Sequence, residues 1–317
     1  MIKGIHHTGL AVKDLDASIK YFSTSQSFEL VSRAKVLANS ADETGSGIGM
    51  AAGETALLKG TSGFLELFRF DSTSDQTPHN HAVYDAGIRH ICIQHGYSKV
   101  GDLFDAYAEA GSSSHNRPAG LGTGALYCYI RDPEGNVIEL EGVRWGENAT
   151  ISPWYTHTAI VTHDIARLTA FYEKLTGTKS HRRGSFGPND KFDAVAGLKD
   201  TRLDGAWIRL AHGEIELWEY HTPRTEPAAH RDMTELGWNH LCFEVDDIDQ
   251  ETRRLETIGI EVSDGPGRHS RGTSVYGRDP DGNIFELFQP AAAQADLFIS
   301  SLAGRAYLEE LKLAHAG

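Results

Sequence analysis

Cysteine is scarce in this 317-residue chain: Cys92, Cys128 and Cys242 are the only three. They sit in apolar runs with no CxxC spacing, which argues against a disulfide framework or a thiolate metal cage and for reduced core residues. Basic charge is also short. Thirty Lys and Arg face 44 Asp and Glu, a formal net charge of −14. Phosphate backbones and anionic headgroups are repelled by such a surface, so neither nucleic acid nor a membrane is expected as a partner. Long hydrophobic runs are missing: nothing approaches the roughly 20 apolar residues that span a bilayer. The opening MIKGIHHTGLAV lacks the layout of a signal peptide. The expectation is a cytoplasmic protein, monomer or homodimer, that acts on a small molecule.

What the chain does contain is a repeated pairing of histidine with glutamate. His7, His90, His157 and His240 each open a short apolar strand, and Glu66, Glu139, Glu216 and Glu286 each lie inside a later one. From His7 to His157, from His90 to His240 and from Glu66 to Glu216 the spacing is 150 residues, and from Glu139 to Glu286 it is 147. A shorter period of 83 residues separates His7 from His90 and His157 from His240. Four related modules in two similar halves follow from these intervals. The length also exceeds what one core usually serves. Expected boundaries are 1–147 for the first half, 152–290 for the second, and 291–317 for a C-terminal helical tail broken near Gly304, with the polar run GENATISP as the join.

Each module reads as β-α-β-β-β, an α+β pattern. The histidine strands are GIHHTGLAV, GIRHICIQ, YTHTAIV and GWNHLCFEV, and each is followed by an amphipathic helix. Asp14, Asp164 and Asp247 stand where helix N-caps belong, and Gly111, Gly177 and Gly259 where helices stop. The modules end on FLELFRF, NVIELEG, EIELWEY and NIFELFQ.

Strand alternation gives these side chains a direction. Two places after each histidine comes a small residue, Gly9, Cys92, Ala159 or Cys242, so the histidine face has room. Leu67, Leu140, Leu217 and Leu287 follow the glutamates directly and should pack on the helix side, turning the carboxylates the opposite way. A carboxylate inside an apolar strand is costly to desolvate unless paired, protonated or bound to a cation. A single such glutamate could decorate a half-solvated sheet; four in register with four histidines point to shared cavities. Imidazole and carboxylate together suit a borderline divalent metal such as Zn, Fe, Mn, Co or Ni.

RDPEGNVIEL at 131–140 and RDPDGNIFEL at 278–287, each a turn leading into a glutamate strand, make the resemblance specific. Over about residues 3–290 the chain resembles the vicinal oxygen chelate superfamily, which includes glyoxalase I, extradiol dioxygenases and bleomycin-resistance proteins. The resemblance implies modules paired into two half-open eight-stranded barrels, each with a metal on its concave side. By similarity the ligands are His7, Glu66, His90 and Glu139 in the first half and His157, Glu216, His240 and Glu286 in the second. Pairing of the first module with the fourth and the second with the third would regroup the same eight residues.

Three functions fit the resemblance. A glyoxalase-like lyase or isomerase comes first, because its two-histidine, two-glutamate pattern is filled twice; the metal holds two adjacent substrate oxygens while Glu66 or Glu139, and Glu216 or Glu286, serve as candidate bases. The alternative is an Fe(II) extradiol dioxygenase in the second half, with ligands His157, His240 and Glu286 and with His269 and Tyr276 as donors to substrate or oxygen, as the run Gly267-Arg268-His269, Val275-Tyr276, Asp279-Pro280-Asp281-Gly282 suggests. Gly122 replaces His269 in the first half, and Glu216 stands where a dioxygenase relative usually has a histidine. A non-catalytic ligand-sequestering resistance protein comes last, since it has no need of eight filled positions. Plainer readings cover the rest. His6 points away from the metal as a surface or supporting residue. His79, His81, His95, His115, His163, His181 and His230 are loop residues. Trp207 or Trp218 could line a cup, and Arg182, Arg183, Arg209 and Arg268 could hold a carboxylate.

Overall fold

The structure, a computed structural model, describes residues 1–24, 26–36, 52–73, 76–78, 80–229, 231–263, 266–302 and 304–316. His79 and His230 lie outside these residues. The first module runs β1 (Ile2–Ala11), α1 (Leu15–Ser23), β2 (Phe28–Val36), β3 (Gly53–Gly60) and β4 (Phe64–Phe70). The second holds β5 (Gly87–Gly96), α2 (Val100–Glu109), the two-residue strands β6 (Ser113–Ser114) and β7 (Ala119–Gly120), β8 (Leu126–Arg131) and β9 (Val137–Val143). In the third are β10 (Trp154–Val161), α3 (Ile165–Thr176), β11 (Arg182–Phe186), α4 (Asp190–Ala196), β12 (Arg202–Arg209) and β13 (Glu214–Thr222). The fourth has β14 (Gly237–Val245), α5 (Ile248–Thr257), β15 (Gly267–His269), β16 (Gly272–Arg278) and β17 (Ile284–Pro290), and α6 (Gly304–Ala316) closes the chain.

The expected caps form. Asp14, Asp164 and Asp247 accept from the backbone N–H of Ala17, Arg167 and Gln250, satisfying donors that a first helical turn leaves free. Gly177 ends α3 in the left-handed region at φ 70°. The short helix α4 goes beyond the β-α-β-β-β outline, and its signals are Asn189, which accepts from Lys191 and Phe192, and Gly197 at φ 68°.

Two curved mixed sheets result, one of eight strands in the order β15-β16-β17-β14-β1-β4-β3-β2 and one of nine in the order β11-β12-β13-β10-β5-β9-β8-β6, with β7 on β8. The ninth strand arises because a short stretch of the second module pairs twice, as β6 and β7, against β8. Each sheet therefore combines modules from opposite halves: the first with the fourth, the second with the third. The segments 1–147 and 152–290 are repeats in sequence, but neither closes a barrel, which corrects the expected grouping by halves. A module's first strand has one edge on its own glutamate strand and needs another module for its second edge. The join at 146–153 is short, and it delivers β10 alongside β5, antiparallel, with Trp154 opposite Gln94 and the Trp154 indole N–H donating to the Gln94 side chain at 3.0 Å. β1 and β14 are left to pair with each other. The 150-residue repeat becomes a pseudo-twofold axis on which Thr8 and Thr158 meet, Oγ1 to Oγ1 at 2.6 Å.

The leucines that follow the glutamates, Leu67, Leu140, Leu217 and Leu287, are all fully buried in the main core with Phe243, Ile91 and Tyr172. Cys92, Cys128 and Cys242 are buried free thiols, as expected. Beyond β17 the tail makes two 3-10 turns whose Leu297, Ile299 and Leu302 pack on Leu57 and Phe64. α6 then docks on the join, where Leu308 packs with Val143, Ala149 and Trp154.

Candidate metal centres

Parallel pairing within each module brings its histidine and glutamate together. Gly9 lies opposite Glu66, Cys92 opposite Glu139, Ala159 opposite Glu216 and Cys242 opposite Glu286. The small residue two places after each histidine is thus the one beside the carboxylate. Gly9 has no alternative, because a Cβ there would lie 2.1 Å from the His240 ring.

Two quartets form, and in each the ligand atoms lie within 4.8 Å of one another. The outer one, from the first and fourth modules, is His7, Glu66, His240 and Glu286; the inner one, from the second and third, is His90, Glu139, His157 and Glu216. All eight are buried. The structure therefore regroups the ligand sets expected by halves. It also separates the trio His157, His240 and Glu286, since His157 belongs to the inner quartet and the other two to the outer.

In the outer quartet the His7 and His240 Nε2 atoms are 2.9 Å apart. The His7 Nε2 lies 3.1 Å from Glu66 Oε2 and 3.2 Å from Glu286 Oε2, and His240 Nε2 lies 3.2 Å from Glu286 Oε2. Hydrogen bonds on the far sides of the rings set their tautomers. The Leu297 carbonyl, 2.7 Å from His6 Nε2, can only accept, so His6 Nδ1 is left to accept from His7 Nδ1 at 2.8 Å, and the lone pair of His7 falls on Nε2. His240 Nδ1 meets the Asn239 side-chain oxygen at 2.8 Å, with the same result. His6 is a buried support, held near a pKa of about 3 by desolvation and by His7. Two lone pairs and two carboxylates facing one point require a cation. Without one the requirement falls on a proton: burial opposes a charged His7, yet the hydrogen bonds and charges of Glu286 and Glu66 win and raise its pKa to about 9.

The inner quartet makes the same demand. His157 Nε2 lies 3.1 Å from Glu139 Oε2 and 3.2 Å from Glu216 Oε2, and His90 Nε2 lies 3.8 and 3.6 Å from the same atoms. Against burial, Glu216 lifts His157 well above its ordinary range, and the two histidines hold Glu216 well below its own. His90 Nε2 and His157 Nε2 are buried without a hydrogen-bond partner, as is Glu286 Oε2 in the outer quartet. Two imidazole nitrogens and two carboxylate oxygens around each point are a donor set that fits a divalent metal.

The supporting contacts differ between the centres. In the inner one the Trp207 indole N–H donates to Glu216 Oε1 at 2.7 Å. In the outer one Glu66 Oε1 accepts from Thr55 at 2.8 Å and from Arg271, while Glu286 Oε1 accepts from Ser274. His269 contacts Ser274 at 3.0 Å and stacks on Phe288, and Tyr276 pairs across the strands with Glu286. Both belong to the outer centre.

A cavity of about 1200 Å³ opens on the inner centre, where Glu139, His157 and Glu216 meet Trp207, Tyr129 and Lys312 of α6. None of the outer quartet lines it. Trp207 and Trp218 form its aromatic wall, with ring centroids 5.0 Å apart, and the exposed Phe186 stands beside both. Gly205 makes room for this wall, since a Cβ there would lie 2.6 Å from Trp207 and 2.7 Å from Trp218. The Arg182 guanidinium lies 3.5 Å from the centre of the Trp207 ring. Arg183 and Arg209 are instead committed to Glu173 and Glu214.

The same domain family matches twice, over residues 4–140 and 154–287: the Glyoxalase/Bleomycin resistance protein/Dioxygenase superfamily. The chain belongs to this superfamily. Among curated superfamily relatives, a lactoylglutathione lyase of Schizosaccharomyces pombe is 27% identical over 277 residues, 81% of this chain and 86% of that one. A lactoylglutathione lyase of Pseudomonas putida is 27% identical over 157 residues, 45% of this chain and 88% of the other. Among solved superfamily structures, glyoxalase I from Zea mays superposes with a TM-score of 0.65 at 18% identity, covering 99% of this chain and 97% of that one, a likeness of fold.

Trp207, foreseen as a wall residue, also fixes a carboxylate, a role that only the register of β12 against β13 reveals, with Trp207 opposite Glu216. Replacing it as Trp207→Phe keeps the ring and deletes the donor. Supporting contacts of this kind are worth about 10- to 100-fold in metal affinity or turnover, and a metal titration of the variant should find that loss.

Proposed function

We propose that this chain is a metal-dependent lyase or isomerase of the glyoxalase type, working at the inner centre. The observation that carries the reading is the meeting there of a complete two-histidine, two-glutamate quartet with a large aromatic-walled cavity. His90, Glu139, His157 and Glu216 would hold the ion, which when bound would polarise two adjacent substrate oxygens and acidify the C–H of the hydroxyl-bearing carbon next to the carbonyl. Glu216 is fixed by Trp207. Glu139 is contacted by His157 and His90, and among the described residues no further donor pins its second oxygen. That freedom suits Glu139 to the proton transfer: it would take the proton from the hydroxyl-bearing carbon and return it to the former carbonyl carbon, while the hydroxyl proton passes from the first oxygen to the second, an isomerisation with no net change in composition. Trp207, Trp218 and Phe186 shelter the reacting face from water, and Arg182 at the wall suits a substrate with a negative group. The lactoylglutathione lyase relatives support this substrate logic, with a hemithioacetal as the first compound to assay.

A second reading, a ring-cleaving dioxygenase at the outer centre, is favoured by the positions of His269 and Tyr276 around Glu286. One experiment separates the two. Turnover of a hemithioacetal under nitrogen, lost in His90→Ala and kept in His240→Ala, is the expected result. Oxygen uptake with a catechol, lost in His240→Ala and kept in His90→Ala, would replace the first reading with the second.

A further inference from the structure

We infer that Glu141 is a specificity-determining residue of the inner cavity, receiving a positively charged group that the substrate carries a few bonds from its chelating oxygens. This rests on the reading of the inner centre given above. Side chains two apart on a strand share a face, so Glu141 lies beside Glu139 on β9, about 7 Å along the same wall, and both line the cavity. The repeat sets this position apart. Two places after the ligand glutamate the other modules carry Phe68, Trp218 and Phe288, and only the second module carries a charge. In the outer barrel those rings are buried: Phe68 stacks on Phe70 with ring centroids 5.5 Å apart, and Phe288 on His269 at 5.7 Å.

The Glu141 carboxylate is held in place but not neutralised. The Trp154 indole N–H donates to the Gln94 side-chain oxygen at 3.0 Å, which turns the Gln94 amide N–H toward Glu141 Oε2. Tyr127, opposite Glu141 on β8, brings its hydroxyl to the same carboxylate. Both are neutral donors. The other carboxylates of the cavity have imidazoles or cations beside them: Glu139 and Glu216 face His90 and His157, Glu214 meets Arg209 and His181, and Glu309 meets Lys312. Among the described residues Glu141 makes no ion pair, although it is half-buried, and a desolvated carboxylate held only by neutral groups calls for a cation. The neighbouring rings suit one. Trp145 and Trp154 line the same cavity with ring centroids 5.4 Å apart, and Lys312 Nζ lies 5.0 Å from the centre of the Trp145 ring, so positive charge is already accommodated there. A negative substrate group at Arg182 is compatible with this, because Arg182 stands on β11 of the third module and Glu141 on β9 of the second. The short separation of Glu141 from Glu139 limits the spacer: the cation belongs close to the reacting carbons, not at the end of a long substituent.

The test compares two hemithioacetals of methylglyoxal on the zinc-loaded full chain. One is made from 2-(dimethylamino)ethanethiol, whose ammonium is positive at neutral pH and, being tertiary, does not cyclise onto the aldehyde; the other is made from 3-methylbutane-1-thiol, its uncharged carbon isostere. Wild type should show a kcat/KM about 10- to 100-fold higher for the cationic compound, the range of a hydrogen-bonded charge. Glu141→Gln should bring the ratio close to one, and Glu141→Phe, the residue type of two sister positions, should favour the uncharged compound. A wild-type ratio near one, or a preference kept in Glu141→Gln, overturns the inference and leaves the lyase reading standing. If wild type turns over neither compound, the lyase reading is what fails, and binding then decides the role of Glu141. The unreactive cation N,N-dimethyl-2-(methylsulfanyl)ethanamine, followed by tryptophan fluorescence, should bind wild type at least about 10-fold more tightly than Glu141→Gln; equal Kd values overturn the inference.

Discussion

Glu139→Gln is expected to lower kcat by about 10²- to 10⁴-fold, the contribution of a positioned general base, with little change in KM. Glu139 lies on the cavity, and among the described residues no second donor holds its other oxygen. Glutamine keeps the shape and one oxygen, so the fold and most of the substrate contacts survive while the proton acceptor is lost. Its repeat counterpart, Glu286→Gln, provides the control. Glu286 lies in the outer centre with Ser274 on its second oxygen, and turnover at the inner centre should be unchanged. Steady-state rates of both variants on the hemithioacetal decide the matter. Equal losses would refute the assignment of the base to the inner centre, and a loss confined to Glu286→Gln would transfer it to the outer one.

Arg271→Met alone should destabilise the metal-free protein by about 3–5 kcal/mol, the usual consequence of removing one partner of a buried ion pair. The remaining Glu66 is 2% exposed and would retain only Thr55 and the shared proton of His7. Its pKa, held well below the ordinary carboxylate range by Arg271 and His7 in opposition to burial, should rise toward neutrality. Denaturant unfolding in the presence of a chelator measures the change. A loss below about 1 kcal/mol, typical of an exposed pair, would mean that solvent reaches the guanidinium and that the contact contributes little.

Much of this architecture was legible in the residue order because the determinants are local. The Asp caps, the Glu-Leu strands and the small residue two places after each histidine are chemical necessities of short segments, and all took the expected form. The eight residues of the quartets were legible for the same reason. Their grouping was not. His7 and Glu66 come together through parallel neighbours inside one module, but which other module completes the centre depends on the join around Gly146 to Pro153, and four similar modules satisfy either arrangement. Arg271, Thr55, Ser274 and Asn239 were missed because their roles exist only through register across strands. Arg271 could have been found by asking which positions of the repeat hold a charge in one copy and glycine in the other.

The strands of the inner barrel, β5 through β13, occupy the continuous stretch from Gly87 to Thr222, whereas the outer barrel takes its strands from either side of that stretch. During synthesis from the N-terminus the inner barrel has all its strands before the fourth module has been made. β1 through β4, by contrast, must wait with an open edge for β14 more than 160 residues away. The enclosed barrel can thus reach its native pairing early and serve as the platform on which the two ends of the polypeptide later find each other, an order of events set by nesting alone.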